Sequence, residues 1–83
     1  MFSVLEQAPL LVRFTAHALR RAEQSGVALA DVERLVLERH HRRRRNAGGA
    51  DWRLEGGRLV VAYNHPDAGD LTTALVVTLW RRR

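Results

Sequence analysis

Trp52-Arg53-Leu54-Glu55-Gly56-Gly57-Arg58-Leu59-Val60-Val61-Ala62-Tyr63-Asn64 decides the fold, because it reads as two strands joined by a tight turn. Apolar side chains return at every second position, Trp52 and Leu54 before the glycines and Leu59, Val61 and Tyr63 after them. That is the period of a strand with one face in a core. Gly56-Gly57 is a two-residue turn signal, and a hairpin closed there sets Glu55 opposite Arg58 and Leu54 opposite Leu59. Outward on the C-terminal side, Asn64 to Asp70 is turn-rich, and Leu71 to Trp80 reads as a third, longer strand. Leu71, Thr73, Leu75, Val77 and Leu79 point one way, and Thr72, Ala74, Val76, Thr78 and Trp80 point the other. Both sets are mostly apolar, which suits a central strand with helices over one side. Trp52, Tyr63 and Trp80 are assigned to the core rather than to base stacking.

Upstream of the hairpin the period changes to a helical one. Leu29, Val32, Leu35, Val36 and Arg39 share one side of a helix, with Asp31, Arg34 and Glu38 on the other. Asp31 and Glu33 near its start and Arg39 and His40 near its end complement its dipole. An earlier helix covers Ala16 to Ser25, with Thr15 as its N-cap, apolar recurrence at Ala18, Leu19 and Ala22, and Gly26 as a left-handed stop. Between the second helix and the hairpin, His40-His41-Arg42-Arg43-Arg44-Arg45 runs into Asn46-Ala47-Gly48-Gly49-Ala50, giving a basic, Gly-rich loop over 41–51. Leu10 to Phe14 is a short extended run, and residues 1–13 form an N-terminal arm or an edge strand, the place Pro9 allows. The fold expected is α+β: an N-terminal two-helix hairpin packed on a three- to four-stranded antiparallel sheet, as one domain over 1–83.

Eighty-three residues at 46% hydrophobic content make a small domain, one that buries only about 60 to 65% of its unfolded surface. With no cysteine, neither disulfides nor thiolate metal sites can support it, and a reducing compartment, the cytoplasm, is the expectation. The beginning of the sequence lacks basic residues and makes a poor secretory signal. The longest apolar run, near Ala74 to Trp80, is far below the ~20 residues of a spanning helix, so no membrane partner is expected. A net charge of +5 favours polyanionic partners. All fourteen basic residues are arginine, as GC-rich coding would produce, so their positions carry more information than their number.

Thr15-Ala16-His17-Ala18-Leu19-Arg20-Arg21 concentrates the chemistry. His17 falls in the first helical turn, where unpaired amides carry the positive end of the dipole and attract an anion. Arg21, four residues on, shares its face, with Arg20 beside it. An uncharged His17 would take a proton while the same amides and Arg21 hold a phosphate. Other chemistries lack their parts. His40 and His41 diverge on a helix and His65 lies in another loop, so no metal centre is expected. Neither Ser3 nor Ser25 stands in a nucleophile elbow, and no glycine motif cradles phosphate. Acid–base chemistry on a phosphodiester remains, since RNA brings its own nucleophile, the 2′-hydroxyl, and needs only a base, an acid and a cation.

The segment F-T-A-H-A-L-R-R-A-E-Q-S-G-V-A-L-A-D-V, Phe14 to Val32, resembles the signature of a small bacterial family of unknown function: T-x-H-A-x-x-R, then R-G-(I/V)-S and an acidic residue before valine. That family is grouped with RelE-like toxins, in the barnase, EndoU, colicin and RelE class of ribonuclease folds. The likeness covers almost the whole chain from Phe14 on, two helices and then an antiparallel sheet. It implies a metal-independent endoribonuclease without cofactor, the toxin of a toxin–antitoxin pair, acting on RNA and restrained by an acidic antitoxin. His17 and Arg21 match the motif, and a late strand threonine falls at Thr78. These three are the expected catalytic residues, with Arg20, Arg42, Arg43, Arg44, Arg45 and Arg81 as RNA contacts. Ser25 stands where the family has the arginine of R-G, and Ala28 where it has a serine cap, which weakens the second helix by about 1 kcal/mol. A non-enzymatic, basic nucleic-acid-binding or protein-interaction domain on the same fold is the alternative.

Overall fold

A computed structural model describes residues 10–67, 69 and 72–82, running β1 (Leu11–Phe14), α1 (Ala16–Ser25), α2 (Leu29–Arg39), a 3-10 turn (His40–Arg42), β2 (Arg44–Arg45), β3 (Trp52–Gly56), β4 (Leu59–Asn64) and β5 (Thr73–Arg81). Residues 1–9 of the expected arm and Leu71 of the expected third strand lie outside the described residues. The class is α+β, with two helices and one sheet. The sheet differs from the expected one in number and direction: five strands in the order β1-β5-β4-β3-β2, with β1 parallel to β5 from Leu11↔Thr73 to Phe14↔Val76. A four-residue strand is too short to show a period, and its direction is decided only by the distant partner it meets.

The basic run is also more ordered than a loop over 41–51 would be. Arg44 and Arg45 pair with Arg53 and Trp52 as an edge strand. Beyond them Asn46 closes the connection, its N–H donating to Asp51 O at 2.9 Å and its Nδ2 to Ala50 O at 3.0 Å. Arg43 and Arg45 each lie over the Trp52 ring, at 4.3 and 4.5 Å from its centroid. Cation–π attraction thus holds these two alternate arginines where bare repulsion would have freed them.

The β3–β4 hairpin forms one residue later than expected. Its two-residue loop is Gly57-Arg58, so Gly56 pairs with Leu59, Glu55 faces Val60 rather than Arg58, and Leu54 faces Val61 rather than Leu59. Gly57 takes φ 60° as the first loop residue, while no non-glycine has positive φ among the described residues. A turn needing only that one left-handed position suits Gly-Arg. Gly56 stays in the strand, where Leu35 of α2 packs down on it: a Cβ there would lie 2.5 Å from Leu35 Cδ1.

β5 departs from the expected alternation at its centre. Ala62 pairs with Thr78 and Tyr63 with Val76, leaving Val77 as an extra residue. Such a bulge shifts the face to which later side chains point. Ala74 and Val76 before it and Leu79 after it therefore all face the helices, in a core with Val12, Leu54, Val61, Tyr63, Val32 and Val36. Thr78 and Trp80 turn to the opposite face, beside Ala62 and Val60. Trp80 is thus not a core residue, whereas Tyr63 is fully buried and Trp52 packs against the core.

The same bulge explains where α1 sits. β1 stops pairing at Val76, and beyond that point α1 covers the edge of β5. Thr15 N donates to Val76 O at 3.0 Å and Thr15 Oγ1 to Val77 O at 3.1 Å, while Arg21 Nε reaches Leu79 O at 3.4 Å and Arg81 donates to Gly26 O at 3.0 Å. The lengths match, since from Thr15 to Gly26 a helix rises about 17 Å and from Val76 to Arg81 a strand rises about 17 Å. A helix lying on a sheet edge satisfies carbonyls that would otherwise invite another strand. Ala18 and Ala22, both buried, keep its near side thin enough to approach, whereas Leu19, read as part of the apolar stripe, is 44% exposed.

The helix ends follow their sequence signals. Thr15 accepts from Ala18 N, and Gly26 closes α1 at φ 66° with its N–H on Ala22 and Glu23 carbonyls. α2 starts at Ala28 with no side-chain cap. No helix among the described residues is long and apolar enough to cross a membrane.

Candidate active site

Two residues far apart in sequence meet where α1 leaves the edge of β5. His17 Nε2 lies 3.2 Å from Thr78 Oγ1, across 61 positions. Each is placed by a feature already described. Thr15 caps α1 and is tied to Val77 O, so the first helical turn is anchored at the bulge with His17 in it. The bulge turns Thr78 out of the core toward that turn.

The tautomer of His17 sets what this contact does. With the ring proton on Nδ1, Thr78 donates its O–H to the one Nε2 lone pair, and a substrate hydroxyl would have to take its place there to be deprotonated. With the proton on Nε2, the ring donates and Thr78 accepts. Either way the hydroxyl fixes the ring's orientation, and His17 stays exposed enough for a substrate to reach it.

Arg21 lies one turn on and reaches the same strand one residue further, at Leu79 O. The bond uses only Nε, leaving the terminal nitrogens of the fork for another acceptor. His17 and Arg21 thus both reach β5 along one strand edge, at Thr78 and at Leu79 O. The other expected residues are dispersed. Arg20 is exposed and makes no hydrogen bond or ion pair among the described residues. Arg81 is tied to Gly26 O at the far end of α1.

The run Arg42 to Arg45 divides. Arg43 and Arg45 cover Trp52, and Arg43 NH1 also donates to His40 O at 3.0 Å. Arg44 shares the other face with Arg53. Following partners across the sheet gives one row on that open face: Thr78, Ala62, Arg53, Arg44. Arg53 was absent from the sequence expectations, although its place as a polar residue alternating with Trp52 and Leu54 was the available signal. Trp80, expected in the core, stands on the neighbouring row with Val60 and Glu55, because nothing in Val76-Val77-Thr78 marks a bulge.

The covered side carries a second polar group of different character. Burial pushes the Tyr63 phenol up to about 12, with Arg43 pulling the other way. Burial, then Arg43, His41 and His65, lowers the His40 imidazole from its ordinary value. The Tyr63 ring meets His65 edge-on at 5.8 Å, and His65 is held by Nδ1 against Thr73 O at 2.8 Å. Tyr63 Oη and His65 Nε2 are buried without a hydrogen-bond partner among the described residues. Among the described residues, no group of three or more histidine, aspartate or glutamate side chains could hold a metal.

In comparisons with known proteins, no family model, curated protein or solved structure matches the chain.

Proposed function

We propose that the chain is a toxin-like, metal-independent endoribonuclease. One observation carries this: His17 Nε2 at 3.2 Å from Thr78 Oγ1, with Arg21 one helical turn away on the same strand edge. A base and a hydroxyl meet at an exposed position with a guanidinium one turn along, and with water as the acid these supply the base, acid and cation that transesterification of RNA needs. The net charge of +5 suits a polyanionic substrate.

In this mechanism His17 Nε2 accepts the proton of a ribose 2′-hydroxyl, whose oxygen forms a bond to the adjacent phosphorus. The bond from phosphorus to the 5′-oxygen of the next nucleotide breaks, that oxygen takes a proton from water, and His17 gives its proton to the hydroxide left behind. The products are a 2′,3′-cyclic phosphate and a free 5′-hydroxyl. Arg21 faces the charge that builds on the phosphoryl oxygens, and Thr78 orients the attacking hydroxyl or the phosphate. The resemblance around Phe14 to Val32 supplies the toxin setting, in the cytoplasm and with an acidic antitoxin as partner.

The test is incubation of the purified chain with RNA in EDTA beside His17→Ala. Cleavage should fall by about 10²- to 10⁴-fold in the variant, the usual worth of a positioned acid–base group, and the products should carry cyclic phosphate ends. Equal cleavage by both proteins removes His17 from the mechanism, and no cleavage by either removes the enzyme. In that second case the row of arginines supports the alternative, a nucleic-acid binder without catalysis.

A further inference from the structure

Where β2 and β3 meet the β3–β4 turn, Arg39, Arg42, Arg44, Arg53 and Arg82 surround a pocket of about 290 Å³ that contains one carboxylate, Glu55. They come from α2, the turn after it, two strands and the residue after β5, so no local motif announces the cluster. Glu55 engages only two of them, Arg53 NH2 at 3.2 Å and Arg82 NH1 at 2.9 Å. Arg82 is further held by Gly57 O at 2.9 Å. The side chains of Arg39, Arg42 and Arg44 have no hydrogen-bond or ion-pair partner among the described residues. Five guanidiniums around one carboxylate leave an excess positive charge that an anion would neutralise. Guanidinium forks suit phosphate in particular, because they can meet two of its oxygens at once.

The row across the open face connects this pocket to His17. Thr78, Ala62, Arg53 and Arg44 are successive partners on neighbouring strands. At the usual strand spacing Arg53 lies about 10 Å and Arg44 about 14 Å from Thr78. On that row only Ala62, itself 1% exposed, stands between Thr78 and Arg53.

We propose that this pocket is a phosphate subsite, holding the backbone of a single-stranded RNA at a phosphate beyond the one attacked at His17. The proposal rests on the nuclease reading for the identity of the strand, and on the pocket alone for phosphate. It divides the basic run by function: Arg42 and Arg44 bind, whereas Arg43 and Arg45 hold Trp52.

Binding of a fluorescein-labelled single-stranded RNA is measured by anisotropy over a range of salt, in the full chain carrying His17→Ala so that the RNA survives. Added Arg44→Ala should weaken binding by about tenfold and reduce the salt slope by about 0.7, the value for one phosphate contact on a single strand. Arg42→Ala, also a change at an exposed and unpaired side chain, should act in the same direction. Pyrophosphate should displace the RNA from the parent and lose potency against Arg44→Ala. Unchanged affinity and slope in both arginine variants, with circular dichroism intact, would overturn the subsite. Pyrophosphate binding that depends on Arg44 while RNA binding does not would assign the pocket to free phosphates and overturn the RNA part. The two proposals fail separately: arginine-dependent RNA binding without cleavage by the wild type leaves the subsite standing and the nuclease refuted. His17-dependent cleavage with indifferent arginines does the reverse.

Discussion

The two faces of the sheet are built from the same strands by opposite rules. The covered face presents Leu54, Val61, Tyr63, Val76 and Leu79 to the helices, a set chosen for volume and closed to water. The open face presents Thr78, Ala62, Arg53 and Arg44 in one row and Trp80, Val60 and Glu55 in the next. Val60 and Ala62 are each only 1% exposed, so even this side has an apolar floor. β5 serves both faces because Val77 changes its phase halfway along. The difference teaches that stability and chemistry were separated across a sheet only one strand thick, and substitutions on the two sides should fail in different ways.

The largest contrast is between neighbours on opposite faces. Leu79→Ala should cost about 2 to 5 kcal/mol in urea denaturation, as truncation of a fully buried leucine does, whereas His17→Ala should stay within about 0.5 kcal/mol. A similar loss in both would mean that the histidine is structural. Next, Tyr63→Phe removes a buried hydroxyl that has no partner among the described residues and should stabilise the fold by about 1 kcal/mol. A loss instead would reveal a bonded hydroxyl.

A smaller effect separates adjacent arginines. Arg45→Ala, which uncovers Trp52, should cost about 0.5 to 1 kcal/mol, against no measurable loss for the unpaired Arg44→Ala. The smallest concerns acid. In the folded chain the His40 proton is held less tightly than in the unfolded chain, where its ordinary value is 6.5. As pH falls through that value the unfolded state takes up more protons, so stability drops, and above it the contribution is constant. Urea midpoints at about pH 7.5 and about pH 5.5 should differ less in His40→Gln than in the parent. An equal difference in both would place the titrating group elsewhere.

How much of this was legible follows residue by residue. Thr15 and Gly26 declared the ends of α1, because caps are local chemistry. His17 and Arg21 shared a face for the same reason, since four helical positions fix it. The partnership of His17 with Thr78 was suggested by resemblance alone, and no periodicity contains it. What could not be read was set by long-range pairing: the parallel β1–β5 contact, the turn at Gly57-Arg58 rather than Gly56-Gly57, and the phase change at Val77. Two adjacent glycines offer two equivalent turns, and Leu35 packing onto Gly56 is a tertiary fact. The arginine pocket was illegible for the same reason, being gathered from five places along the chain.

The wide sequence separation of β1 from its partner has a consequence for how the protein is made. Leu11 to Phe14 are translated long before Thr73 to Val76, and His17 waits 61 residues for Thr78. Until β5 has left the ribosome, the nascent polypeptide has helices and a hairpin but no assembled histidine–threonine pair, and closing so long a loop is a slow, non-local step. A chain that cuts RNA would then lack its assembled site until β5 has been made.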